Sequence, residues 1–125
     1  MPGMEKPSGK KEQKMAKDVI VEVTDRVERM DALEDRLGIS LEGLYAIHVK
    51  GYRNHVKVNF DVISPSGKVD NSLKVIISIY NSKSQQIGTT YAHIDDDDFV
   101  GIESCSETID CDDIPTKIRV YPTGY

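Results

Sequence analysis

Apolar residues along this chain follow two spacings, first steps of three and four, then alternation by two. From Met15 to Leu37 no proline or glycine intervenes, and Ile20, Val23, Val27, Met30 and Leu37 keep the first spacing. Leu33 widens the stripe, and Glu34 interrupts it. The pattern predicts an amphipathic α-helix over 15–38 at the N-terminal side of the molecule, stopped by Gly38. Its heptad-like seam spans nearly three repeats, which suits self-association as a short coiled coil and a homodimer. The same stripe suits packing against the chain's own β-domain. The run Val19-Ile20-Val21-Glu22-Val23 is β-branched and suits the start of a strand as well.

Beyond Ser40-Leu41-Glu42-Gly43 the period becomes two. Leu44–Lys50 alternates. Val56, Val58, Phe60 and Val62 share one face, opposed by Lys57, Asn59 and Asp61. Ser64-Pro65-Ser66-Gly67 reads as a turn. Leu73, Val75, Ile77 and Ile79 point one way along the next strand, and Asn81–Ser84 turns it back into 86–94 as a hairpin. Strands near Phe99–Ser104, Glu107–Asp110 and Lys117–Tyr121 complete a set of about seven. Antiparallel strands with one apolar face bury it against a second sheet, so residues 43–125 are expected to form a β-sandwich, with a small barrel as the alternative. Residues 1–14, MPGMEKPSGKKEQK, hold almost nothing to bury and are expected to be a disordered tail.

Residues 55–122 resemble bacterial immunoglobulin-like modules of the FxLYD type. There a strand ends in aromatic-x-aliphatic-Tyr-Asp and is followed by a polar turn and a return strand. The corresponding residues are Ile77-Ser78-Ile79-Tyr80-Asn81, then Ser82-Lys83-Ser84-Gln85-Gln86-Ile87-Gly88. Ile77 replaces the aromatic residue and Asn81 the aspartate. The resemblance implies an immunoglobulin-like antiparallel sandwich with an interaction or structural role and no shared catalytic residues.

Charge narrows the partners. The net charge is −5, but residues 1–17 carry five lysines against Glu5 and Glu12, whereas every later stretch is acidic. A protein that neutralises phosphates needs a cationic face, so no nucleic-acid partner is expected; the expected partner is a protein, or a second copy through residues 15–37. No apolar run approaches the roughly 20 residues of a membrane span, and no secretory leader is visible. The expected location is therefore the cytoplasm, without membrane contact. Cys105 and Cys111 lie six apart with no histidine between them, neither a redox pair nor half a zinc site. They suit two free thiols, or a loop disulfide if the protein is exported.

Candidate chemistry is thin. Asp95-Asp96-Asp97-Asp98 opens a stretch, 95–113, with nine acids and no base. Carboxylates on a loop can gather a hard cation such as Ca²⁺, which takes six to eight oxygens. Asp95, Asp97 and Asp98 are the candidate ligands, with Glu103, Asp110, Asp112 or Asp113 joining if loops converge. The run lacks the glycine of a calcium loop, and a solvated turn explains it equally. His93 near Asp95, with Ser104 or Cys105 as nominal nucleophiles, is the nearest approach to a catalytic set. No phosphate loop or metalloprotease motif occurs, so the expected function is non-catalytic. Among six tyrosines, Tyr52 and Tyr125 are the exposed interface candidates.

Overall fold

The computed structural model describes residues 18–124. Eight strands and one α-helix follow in order: β1 (Val19–Glu22), a 3-10 turn (Thr24–Arg26), β2 (Val27–Arg29), α1 (Asp31–Leu37), β3 (Ser40–Lys50), β4 (His55–Ile63), β5 (Leu73–Tyr80), β6 (Gln86–Ile94), β7 (Ile102–Asp110) and β8 (Lys117–Gly124). They make two four-stranded sheets, ordered β1-β3-β4-β7 and β2-β8-β5-β6. Each sheet contains one hairpin, β3–β4 and β5–β6, and the later strands return alternately to β4 and β5. All pairings are antiparallel except β2 with β8, which is parallel. The second sheet is therefore mixed, where the alternation had suggested purely antiparallel pairing.

One apolar core lies between the layers. Val56, Val58, Phe60 and Val62 of β4 are buried, as are Leu73, Val75, Ile77 and Ile79 of β5 and Ile118 and Val120 of β8. These are the faces that period-two alternation selects, because successive side chains of a strand leave opposite sides. Ala46, Ala92, Ile94 and Ile109 join the same cluster. At roughly 25 cal/mol per Å² of apolar area removed from water, each fully buried Val or Ile contributes about 1.5–3 kcal/mol.

The N-terminal helix over 15–38 is not formed. Within it the described residues make β1, the 3-10 turn, β2 and, last, a seven-residue α1 that lies between β2 and β3. β-branching decides against helix at Val19–Val23, where a strand costs less side-chain freedom. The chain then crosses from the first sheet to the second: β1 pairs with β3, and β2 with β8. Val23 sits at the crossing, fully buried, with its N–H on Ala46 O at 2.8 Å. Helix survives only in Asp31-Ala32-Leu33-Glu34-Asp35-Arg36-Leu37, which is free of β-branched residues. Gly38 ends it as expected, at φ +70° in the left-handed region. The three-four spacing thus came from a chain visiting two sheets and a short helix in turn.

Two boundaries also move. β3 begins at Ser40, ahead of the expected start at 43, with a register shift between Glu42 and Tyr45. The strands expected at 99–104 and 107–110 are one strand, β7, paired to β4 from Ile63–Ile102 to His55–Asp110. The tail at 1–14 and Tyr125 lie outside the described residues.

Glu34, the residue that breaks the apolar stripe, is the most deeply placed acid, 3% exposed. Its carboxylate accepts from Arg29 Nη2 at 2.6 Å and Nε at 3.1 Å, and from Leu41 N–H at 3.1 Å. One side chain thereby ties α1 to the end of β2 and the start of β3.

Candidate interaction surface

The six residues expected to form a seam do not form one. Val23 is in the core, and Val27 packs against the core from β2. Met30 is the N-cap of α1, half-buried. Leu33 and Leu37 are half-buried on α1, which lies beside β8 and β3. Ile20 alone is well exposed, at 63%. A coiled-coil stripe along 15–37 is thus replaced by side chains on β1, β2, α1 and the junctions between them.

Ile20 lies on the edge strand that flanks the β3–β4 tip. On β1, Val19 pairs with Lys50 and Ile20 with Val49. The chain continues from Lys50 into the β3–β4 tip, Gly51-Tyr52-Arg53-Asn54, where the Tyr52 side chain is 99% exposed. The tip lies against the chain entering β1, because a Cβ built on Gly51 would come 1.8 Å from Asp18 Oδ1. A larger residue at 51 would require the exposed Asp18 carboxylate to turn away. The tip is also held from the other side. Arg53 Nη2 donates to both Asp110 oxygens at 2.6 and 2.7 Å, and Cys111 N–H donates to Asn54 O at 3.1 Å. Tyr52 is therefore presented on a hairpin tip tethered at both flanks, and β1 beside it carries Val19 and Ile20 on opposite faces. Of the two tyrosines expected at the surface, Tyr52 is there.

The acidic run forms the tight connection between β6 and β7. Asp95 O accepts from Asp98 N–H and Phe99 N–H, and Asp95 Oδ1 accepts from Asp97 N–H at 3.0 Å. Asp96 Oδ1 accepts from Ser72 Oγ at 2.7 Å, and Ser72 Oγ accepts in return from Asp96 N–H at 3.1 Å. One oxygen each of Asp95, Asp96 and Asp97 lies within 4.8 Å of the others, while Asp98 stands outside that group. Among the described residues no second loop adds an acid to it. Asp110, Asp112 and Asp113 sit at the far end of β7, with the β3–β4 tip. A cavity of about 760 Å³ borders the run, between Arg36 and Leu37 of α1, loop residues 69–72 and His93.

The nominal catalytic set is dispersed. His93 and Ser104 lie on strands of different sheets. The Ser104 hydroxyl donates to Asp61 Oδ1 at 2.6 Å. Burial, with Glu103 and Glu107 alongside, pushes the Cys105 thiol up to about 11. Burial likewise raises Cys111, beside Asp112 and Asp110. Both cysteines are free thiols, and a thiol held above its usual range is a poor nucleophile at neutral pH. His48 is buried on the inner side of β3, its Nε2 without a hydrogen-bond partner. Burial first, then Lys50, Arg26 and His55, lowers its pKa.

Sequence pattern had no means of finding Glu34 or His48, since an acid in an apolar stripe and a histidine in a strand both read as surface residues. No protein-family model matches the chain. No curated protein and no solved structure matches it either. Among the described residues no helix is long and apolar enough to cross a membrane.

Proposed function

We propose that this chain is a non-catalytic interaction module, an immunoglobulin-like β-sandwich of the FxLYD type, that docks a protein partner on Tyr52, with Ile20 on the neighbouring edge strand. The observation that carries this is a fully exposed tyrosine on a tethered tip beside two exposed β-branched residues. Tyrosine anchors interfaces because its ring is large and loses little freedom on burial. The fold assignment draws support from two sheets sharing one core, and from the Tyr80-Asn81 step falling where β5 ends and the polar turn begins. Asn81 is 8% exposed there, and its Oδ1 accepts from Lys83 N–H and Gln85 N–H. An aspartate in the family pattern offers the same acceptor.

The test places a photo-reactive phenylalanine analogue at position 52 in cells of the native source. A discrete protein adduct is expected there, lost with Ile20→Asp and absent when the probe sits at Lys68 instead. The same absence of adducts at both positions would refute the docking role of this patch.

A further inference from the structure

Sheet edges offer unpaired backbone groups to other chains, and folded proteins guard them. The strand orders leave four: β1 and β7 in the first sheet, β2 and β6 in the second. Two are short, β1 with four residues and β2 with three. β7 has nine, but Glu103 and Glu107 lie on its half-buried side, opposite Val62 and Val58. Charge turned inward on an edge strand opposes further pairing. β6 also has nine residues, Gln86–Ile94, yet it contains no Lys, Arg, Asp, Glu or Pro. Its one ladder among the described residues is with β5. β7 approaches it from the core side, where a Cβ built on Gly88 would come 2.6 Å from Ile109 Cγ2. β7 makes no ladder with β6, so among the described residues no strand pairs with the outer edge of β6.

We propose that β6 pairs antiparallel with β6 of a second copy, joining the two second sheets across a two-fold axis. Closed two-fold contacts use one surface twice, so the surface must complement itself. β6 does so in any register, because it has no fixed charge to oppose. The flanks do so by sign. Lys83 is exposed in the β5–β6 turn, and its backbone N–H is held on Asn81 Oδ1 at 3.0 Å. The acidic turn Asp95–Asp98 follows β6 directly. With the axis at Thr90, antiparallel pairing sets Lys83 of one copy opposite Asp97 of the other, and moving the axis by one residue sets it opposite Asp95 or Phe99, within or next to the acidic turn. Each dimer thus gains two Lys–Asp contacts, and the acidic turn faces a cation supplied by its twin. This surface is separate from the Tyr52 patch, and the two readings stand or fall apart.

Sedimentation velocity on the full chain, over a dilution series, reads the assembly, and hydrogen exchange at the same concentrations locates it. A reversible dimer is expected, weakened by salt, with amides in 86–94 exchanging more slowly as concentration rises. Lys83→Glu should weaken it by at least tenfold, about 1.4 kcal/mol, and Lys83→Glu with Asp97→Lys and Asp98→Lys should restore it. All three positions are exposed, so these variants keep the fold. Tyr52→Ser should leave the dimer unchanged. A monomer at every concentration, a dimer whose 86–94 amides are unaffected, or protection of β6 only by a different protein would each overturn the proposal.

Discussion

Removing the Glu34 carboxylate should be the most damaging single polar change in this molecule. Glu34→Ala takes the acceptor from Arg29 Nη2 and from the buried Leu41 N–H, while Arg29 Nε keeps Asp31 Oδ1 at 3.3 Å. Hydrogen bonds to a charged group contribute about 1.5–3 kcal/mol, and an abandoned buried donor costs about 1–3 kcal/mol. The Arg29 side chain is 37% exposed, so water takes over part of its loss and the ionic share is discounted. The expected cost is then about 3 kcal/mol, mostly from Leu41 N–H and from α1 losing its tether to β3. For a domain of about this size 1 kcal/mol shifts the melting temperature by roughly 4 °C, so the drop should be about 12 °C. Glu34→Gln keeps an acceptor and the shape, and should cost about half as much. The assay is urea unfolding followed by far-UV circular dichroism, since the chain has no tryptophan. A double-mutant cycle with Arg29→Ala should give a coupling of about 1–2 kcal/mol. Glu34→Ala unfolding within about 0.5 kcal/mol of the parent would refute the reasoning, as it would show α1 held by its leucines alone.

Three further outcomes follow from named contacts. Asn81 Nδ2 donates to Asp113 Oδ2 at 3.2 Å and to Gln85 Oε1 at 2.9 Å, so Asn81→Asp should cost about 1–2 kcal/mol at neutral pH; adding Asp113→Asn should recover most of it in thermal melts. His48 has a folded pKa below its unfolded value, so the unfolded chain takes up the proton first as pH falls. Its contribution is intact above about pH 6.5 and is lost progressively below that, down to the folded pKa; denaturant titrations across this window should show the decline flattened in His48→Leu. Millimolar calcium should leave the melting temperature unchanged, because Asp95 Oδ1 and Asp96 Oδ1 already accept from Asp97 N–H and Ser72 Oγ and no second loop adds an acid among the described residues; a rise abolished by Asp95→Asn with Asp97→Asn would reverse that conclusion.

What the sequence disclosed, and what it hid, follows from which interactions leave a period. β4, β5 and β8 were legible because each buries one face on a single layer, so alternation survives in the residues. The β5–β6 hairpin was legible through its turn chemistry, and Tyr52 through the Gly51 and Asn54 around it. Residues 19–37 were misread because no single period governs a chain that serves two sheets and a helix within 19 positions. Its coincidental three-four spacing outweighed a β-branched run that pointed correctly to strand. β7 read as two fragments because Glu103, Ser104, Ser106, Glu107 and Thr108 leave little apolar alternation; its continuity comes from β4, whose nine residues pair with it throughout. Glu34 was taken for a flaw in a seam, since burial of an acid depends on a cation and an N–H brought from other elements. Edge status hides most completely. Nothing in Gln86–Ile94 distinguishes it from an interior strand, and its lack of charge would suit one. Only the order β2-β8-β5-β6 places it at a boundary, and there an unguarded composition acquires a consequence. A central strand without charge is ordinary, whereas an edge strand without charge needs a partner or must risk unwanted ones, and the Lys83 turn and the acidic turn at its two ends have the opposite signs that the proposed pairing with its own copy requires.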